Sequence, residues 1–203
     1  GVFVSNLSPS QRQIKSEVGR LQSLTRRIQK HAKLFNSSFR LGIEINRDKE
    51  EDAPNQYWVE VSTKRGMSFS GSSQSIEETL KQEEDTKARD TTPSLFKMDG
   101  RILKKPKQLP DTMHFLDVEV ATSNEKIEEG RAFIYFRPKG ISDEAAIHIG
   151  WKEIKWTIAV DPLTGGSDMA TDYIDLKDLR SHDSDYIFPE MRNFDPNNPK
   201  AAY

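Results

Sequence analysis

The chain has 203 residues and 23.2 kDa, with 30 basic side chains against 32 acidic ones, a net charge of -2 and a pI near 6.2. That balance provides no global positive field to hold nucleic acid or an anionic membrane surface, and the absence of cysteine excludes disulfides, thiolate metal sites and cysteine nucleophiles. An apolar fraction of 34% and a mean hydropathy of -0.74 suit one modest core with polar segments attached.

Gly1-Val2-Phe3-Val4 is apolar and begins without methionine, so residues 1–9 read as the end of something longer. No apolar run reaches the roughly 18 residues a membrane span needs. Ile14, Val18, Leu21, Thr25, Ile28, Ala32 and Phe35 then recur at steps of four and three, widened by Leu24 and Leu34. The other faces carry Arg12, Lys15, Arg20, Arg26, Arg27, Lys30 and Lys33. This spacing predicts an amphipathic helix over 10–36, ended by Asn36-Ser37-Ser38, with the stripe turned to a core rather than to a membrane surface.

The period changes after the helix. Residues 39–45 and 56–61 alternate as strands, separated by the polar connection 46–55. From 62 to 97 the core signal fades: Ser68 to Ser75 is linker-like and Glu77 to Asp90 is charged, which predicts a mobile insertion. Strand patterns return at 113–120, 131–136, 145–149 and 155–160, with turns at Leu109-Pro110-Asp111, Pro138-Lys139-Gly140 and Asp161 to Gly166. Residues 171–176 are a weaker strand candidate, and 181–203 read as an irregular tail. The expected fold class is α+β in a single domain, 1–203: a long N-terminal amphipathic helix packed on antiparallel β-sheets spanning 39–180.

Chemistry-bearing motifs are sparse. His31, His114, His148 and His182 form no His-x-x-x-His or His-x-His pair, and His148 should face away from its neighbours Ile147 and Ile149. No serine sits in Gly-x-Ser-x-Gly, and no phosphate loop or dinucleotide fingerprint occurs. Paired carboxylates such as Glu83-Glu84 and Glu128-Glu129 give no reason for a shifted pKa. Asp161, Asp168 and Asp172 around a Gly-Gly loop are the nearest thing to a calcium ligand set, but their spacing matches no EF-hand and turns favour Asp anyway. Trp58, Trp151 and Trp156 could be stacking platforms, although Trp58 and Trp156 fall in strand patterns that favour sheet packing. No catalytic residue, cofactor or metal is assigned, and an enzyme is not expected.

The order of several segments resembles a known family. Ser16-Glu17-Val18-Gly19-Arg20-Leu21 and Leu24-Thr25-Arg26-Arg27 on the helix lead to Phe39-Arg40-Leu41-Gly42-Ile43-Glu44-Ile45 and Tyr57-Trp58-Val59-Glu60. Phe133 to Gly140 and Trp156 to Gly165 complete the pattern. Up to about Gly166 this resembles the H-type minor pseudopilins of bacterial type II secretion systems, within the type IV pilin-like superfamily.

The resemblance implies a pilin-like fold and a precursor cut by a prepilin peptidase and N-methylated. It also implies an inner-membrane anchor ahead of the residues present here, so that the domain lies in the periplasm. Its implied partners are the other major and minor pseudopilins, with no nucleic acid. The implied work is structural, near the tip of a pseudopilus that helps export folded proteins across the outer membrane. Ile14, Val18, Leu21 and Ile28 are then expected to form an interaction face, helix to sheet or subunit to subunit. A minor pilin of a type IV pilus, for adhesion or DNA uptake, and a periplasmic ligand-binding domain are the alternatives.

Overall fold

A computed structural model of the chain describes residues 9–46, 54–65, 95–122 and 125–179. One helix comes first, α1 (Pro9–Phe35), 27 residues and roughly 40 Å long. Proline at its first position has the φ a helix needs and lacks an N–H that would go unused there. Asn36 ends it in the left-handed region at φ 47. The Ser37 N–H then reaches back to the Ala32 carbonyl (3.2 Å) and the Asn36 N–H to that of Lys33 (3.4 Å). Asparagine tolerates this conformation, and the Ser37 hydroxyl caps the Phe35 carbonyl at 3.1 Å.

Ten strands follow among the described residues: β1 (Phe39–Ile45), β2 (Gln56–Ser62), β3 (Phe96–Met98), β4 (Lys107–Gln108), β5 (His114–Val120), β6 (Glu125–Ile127), β7 (Gly130–Phe136), β8 (Ala145–Trp151), β9 (Ile154–Val160) and β10 (Ser167–Ala170). A single turn of helix, α2 (Leu176–Leu179), closes the described chain. The strands form two five-stranded antiparallel sheets. The first has the order β3-β2-β1-β7, with β4 also beside β2; the second has β10-β9-β8-β5-β6. Register follows the alternation: Phe39 pairs with Val61 and Phe136, and Ile147 with Val118 and Ile158.

This alternation gives each sheet an apolar face. Phe39, Leu41, Ile43, Tyr57, Val59, Ile134 and Phe136 from the first sheet share one core with Phe115, Val118, Ile147, Ile149, Ile158 and Val160 from the second. A shift of register between Phe115 and Asp117 lets β5 keep Phe115 and Val118 on the inner side although they are three residues apart. Ile14, Val18, Leu21, Leu24, Ile28 and Ala32 lie in the same core.

The expected layout is corrected by this strand content. The chain is mostly antiparallel β-sheet and is α+β only in the broad sense that one N-terminal helix accompanies the strands. A pilin-like body organised by a long helix laid on a β-layer is not the architecture: the two facing sheets make the core, and the helix adds one stripe to it. The helix had the strongest single periodic signal, but the buried mass comes from short alternating segments spread over more than a hundred residues. The expected insertion 62–97 is corrected at both ends as well. Ser62 belongs to β2, and Phe96 and Lys97 form β3 in pairing with it. The Thr63 N–H also bonds the Leu95 carbonyl at 2.9 Å. Residues 66–94 of the expected insertion, residues 1–8 and the tail lie outside the described residues.

Candidate functional site

The outer faces of the two sheets carry the polar side chains. On the second sheet, alternation places Asp117 and Glu119 of β5, His148 of β8 and Thr157 of β9 outward, beneath the segment 171–179. That segment is tied down by each of them. His148 is fully buried; its Nδ1 lies 2.6 Å from Asp117 Oδ1 and its Nε2 lies 2.9 Å from the Ile174 carbonyl. Each ring nitrogen thus faces an oxygen acceptor, one a carboxylate and the other a backbone carbonyl.

Tyr173 stacks on the imidazole with ring centroids 3.9 Å apart and donates its hydroxyl to Asp117 Oδ2 at 3.0 Å. Burial and the Asp117 carboxylate push the phenol up to about 12. Thr157 donates to the Asp172 carbonyl (2.7 Å) and accepts from the Ile174 N–H (2.9 Å). Leu176 and Leu179 cap the small residues Ala146 and Ala159 in a second apolar cluster.

Asp117, Glu119 and His148 bring their ligand atoms within 4.8 Å of one another, the one such group among the described residues. The arrangement offers a metal little, because both nitrogens of His148 are already used and the ring is sealed. The same two bonds leave no nitrogen to act on a substrate, so a His–Asp pair that looks like half of a catalytic relay works here as a lock on the chain. Glu119 is the imperfect member. Its Oε2 accepts from the Leu176 N–H at 3.2 Å, while Oε1 is buried without a hydrogen bond, 3.8 Å from Lys126 Nζ. Burial pushes its carboxyl above the usual glutamate range.

On the first sheet the outward residues make an aromatic cluster of Trp58, Phe96, Phe133 and Tyr135. Arg40, 3% exposed, is held between the rings of Phe96 and Phe133, with centroids 4.2 and 4.0 Å from the guanidinium carbon. Its Nε donates to Glu60 Oε2 at 2.5 Å, and Glu60 Oε1 accepts from the Trp58 indole at 2.8 Å. Trp58 lies across β1 at Gly42, where a Cβ would stand 2.4 Å from Cε2 of the indole. Glycine is needed there for close approach.

Polar contacts also join α1 to the strands. Glu17, buried, accepts the Tyr57 hydroxyl (2.8 Å), Arg20 (2.7 Å) and Lys107 (2.9 Å). Burial first, and then the Glu17 carboxylate, drive the Tyr57 phenol strongly upward. Thr25 meets Ser167 at 3.0 Å, and Gln22 donates to the Ser167 carbonyl at 2.7 Å.

Ile14, Val18, Leu21 and Ile28 are buried at 3%, 1%, 1% and 0% within this chain's own core, so none of them presents a surface. The three aspartates of the calcium reading are not brought together as a ligand group. Asp161 caps its own turn, with Oδ1 accepting the Leu163 and Thr164 N–H groups, and Asp172 Oδ1 accepts the Tyr173 N–H. Asp168 lies half-buried on β10, opposite Ala159. His31 packs against Phe35 and Phe39, His114 is exposed beside Gly150, and His182 is outside the described residues. Trp151 and Trp156 are in the main core.

The Asp117–His148–Tyr173 lock is missed by sequence reasoning. Its members lie 31 and 25 positions apart, and the only local signal is a histidine alternating with isoleucines. No protein family, curated protein or solved structure matches the chain.

Proposed function

We propose that this chain is a structural, non-enzymatic subunit of the H-type minor pseudopilin kind. It works near the tip of a type II secretion pseudopilus, alongside other pseudopilins, and assists the export of folded proteins across the outer membrane. In this reading it is held at the inner membrane by a segment preceding the residues present here, with its body in the periplasm.

The observation that carries the reading is where the resembling segments meet. Arg40 and Gly42 of β1, Trp58 and Glu60 of β2, and Phe133 and Tyr135 of β7 form one cluster. The helix segments join the same body, Glu17 through Tyr57 and Thr25 through Ser167 just after the Gly165-Gly166 turn. The strand motifs thus share one outward cluster, and the helix motifs bond separately to Tyr57 and Ser167. Glu17 and Thr25 hold the helix to β2 and β10.

The test is deletion of the coding sequence in the bacterium that carries it, with photo-crosslinking from the exposed helix positions Ser16 and Ser23. Loss of secretion together with crosslinks to pseudopilins is the expected result. Normal export of folded proteins in the deletion strain would refute the proposal.

A further inference from the structure

Charge is distributed unevenly over this molecule. Every acidic side chain of α1 reduces to Glu17, which is buried and neutralised by Arg20 and Lys107. The exposed arc of the helix instead presents Lys15, Arg26, Lys30 and Lys33, which make no ion pair among the described residues. Beside it, the loop after β3 adds the exposed Lys104 and Lys105. Two bonds hold that loop against the helix, Arg27 to the Ile102 carbonyl at 3.1 Å and Lys107 to Glu17.

Apolar side chains emerge in the same region. Leu34, Ile141 and Leu163 are 69%, 51% and 64% exposed. Leu34 follows Lys33 on the helix. Ile141 belongs to the hairpin whose Gly140 lies against the Lys33 side chain. Leu163 belongs to the turn whose Gly165 and Gly166 lie against Gln29 and Arg26. The hairpin and the turn are joined, the Ser142 N–H bonding the Pro162 carbonyl at 2.8 Å and its hydroxyl the Asp161 carbonyl at 3.0 Å.

The geometry points to a docking surface for an anionic phospholipid bilayer. A ridge of exposed lysine and arginine meets negative headgroups, and the apolar tips at the C-terminal end of the helix enter the headgroup boundary beside them. A nucleic acid would use the cations but have no use for Leu163 and Ile141, and the described tryptophans are buried rather than offered to bases. A flat, charged, partly apolar surface uses both. This surface stands apart from the filament reading and is tested without it.

The experiment is flotation of the 203-residue chain with vesicles of phosphatidylcholine alone and of phosphatidylcholine mixed equally with phosphatidylglycerol. Binding is expected only to the phosphatidylglycerol vesicles, weakening as salt is raised toward about 0.5 M. Each basic residue near the surface accounts for roughly a fivefold change in partition, so Lys30→Gln with Lys33→Gln lowers it about 25-fold. Leu163→Asp with Ile141→Asp abolishes binding while the thermal unfolding curve stays unchanged, since both side chains are exposed. Equal binding to both vesicle types, or none to either, overturns the proposal. Capture by polyglutamate or duplex DNA that matches the vesicles and survives the Leu163/Ile141 substitutions overturns it too.

Discussion

Replacing Gly42 with alanine adds one carbon to the centre of β1, and the structure fixes what that carbon meets. Its position is 2.4 Å from Cε2, 2.6 Å from Cζ2 and 2.9 Å from Nε1 of Trp58. The indole cannot swing aside at low cost. It packs edge-on against Phe133 with centroids 6.1 Å apart, and its N–H is bonded to Glu60, which in turn holds Arg40. Forcing an extra methyl into a packed site costs about 1–3 kcal/mol. Losing the indole bond to a charged acceptor adds about 1.5 kcal/mol. Against this, removing a glycine from a strand returns only about 0.5–1 kcal/mol through the unfolded chain. The steric effect wins, and a net loss of about 2–4 kcal/mol is expected, a fall in Tm of roughly 5–15 °C for a chain of this size.

The assay is urea unfolding of four proteins: the natural sequence, Gly42→Ala, Trp58→Leu and the double variant. Trp58→Leu alone is also destabilising, because it opens a gap beside Phe133. The two changes touch the same atoms, so the double variant should be more stable than the sum of the single losses by at least about 1 kcal/mol. If the losses add to within about 0.5 kcal/mol, or if Gly42→Ala is neutral, the reasoning from close approach is refuted.

Glu119→Gln tests the buried carboxylate under the 171–179 segment. A carboxyl raised by burial contributes stability that is complete below the ordinary glutamate range and is lost as pH rises through its folded value. The natural chain should therefore lose stability over that window while the glutamine variant does not, and the variant should have the higher Tm at pH 7. Asp99 has the opposite sign: burial pushes its carboxyl up, but the Arg101 hydrogen bonds at 2.5 to 3.1 Å and its charge outweigh that and hold it low. Asp99→Asn should cost about 1–3 kcal/mol at pH 7, with the difference vanishing as pH falls through the aspartate's lowered value. Thr25→Val, which keeps shape and removes the hydroxyl meeting Ser167, should cost about 1 kcal/mol in urea unfolding.

Much of the local structure can be read from residues in order, because each strand is its own alternating segment. Phe39-Leu41-Ile43-Ile45 and Trp156-Ile158-Val160 announce their buried faces without help from the rest of the chain. The pairing of β1 with β7 cannot be read this way, because it joins segments about ninety residues apart and depends on which sheet each apolar face joins. Phe96 shows the same limit at a smaller scale. Three residues are too short for a period, yet β2 gives them a partner and Arg40 gives the ring a cation. The His148 cluster was half visible: alternation gives the face, but only the chain's return at 171–179 supplies the acceptors and the tyrosine. The apolar stripe of the helix was legible as a buried face and misleading as a contact surface. Val18→Asp would place a carboxylate at a site 1% exposed, so lost secretion in that variant would report unfolding rather than a broken interface.

Net charge is the feature that changes most when residues gain positions. A total of -2 argues against any anionic partner only if the charges are mixed over the surface. Among the described residues they are sorted: the single acid of α1 is buried under two cations, while Lys15, Arg26, Lys30 and Lys33 on the exposed helix arc make no ion pair. The apolar stripe is committed to the core, so any body that approaches α1 from solvent meets cations first. Complementarity requires the bilayer that docks there to be acidic. Charge reversal at Lys30 and Lys33 should weaken such a contact without moving the Tm, a separation that no substitution in the buried stripe can achieve.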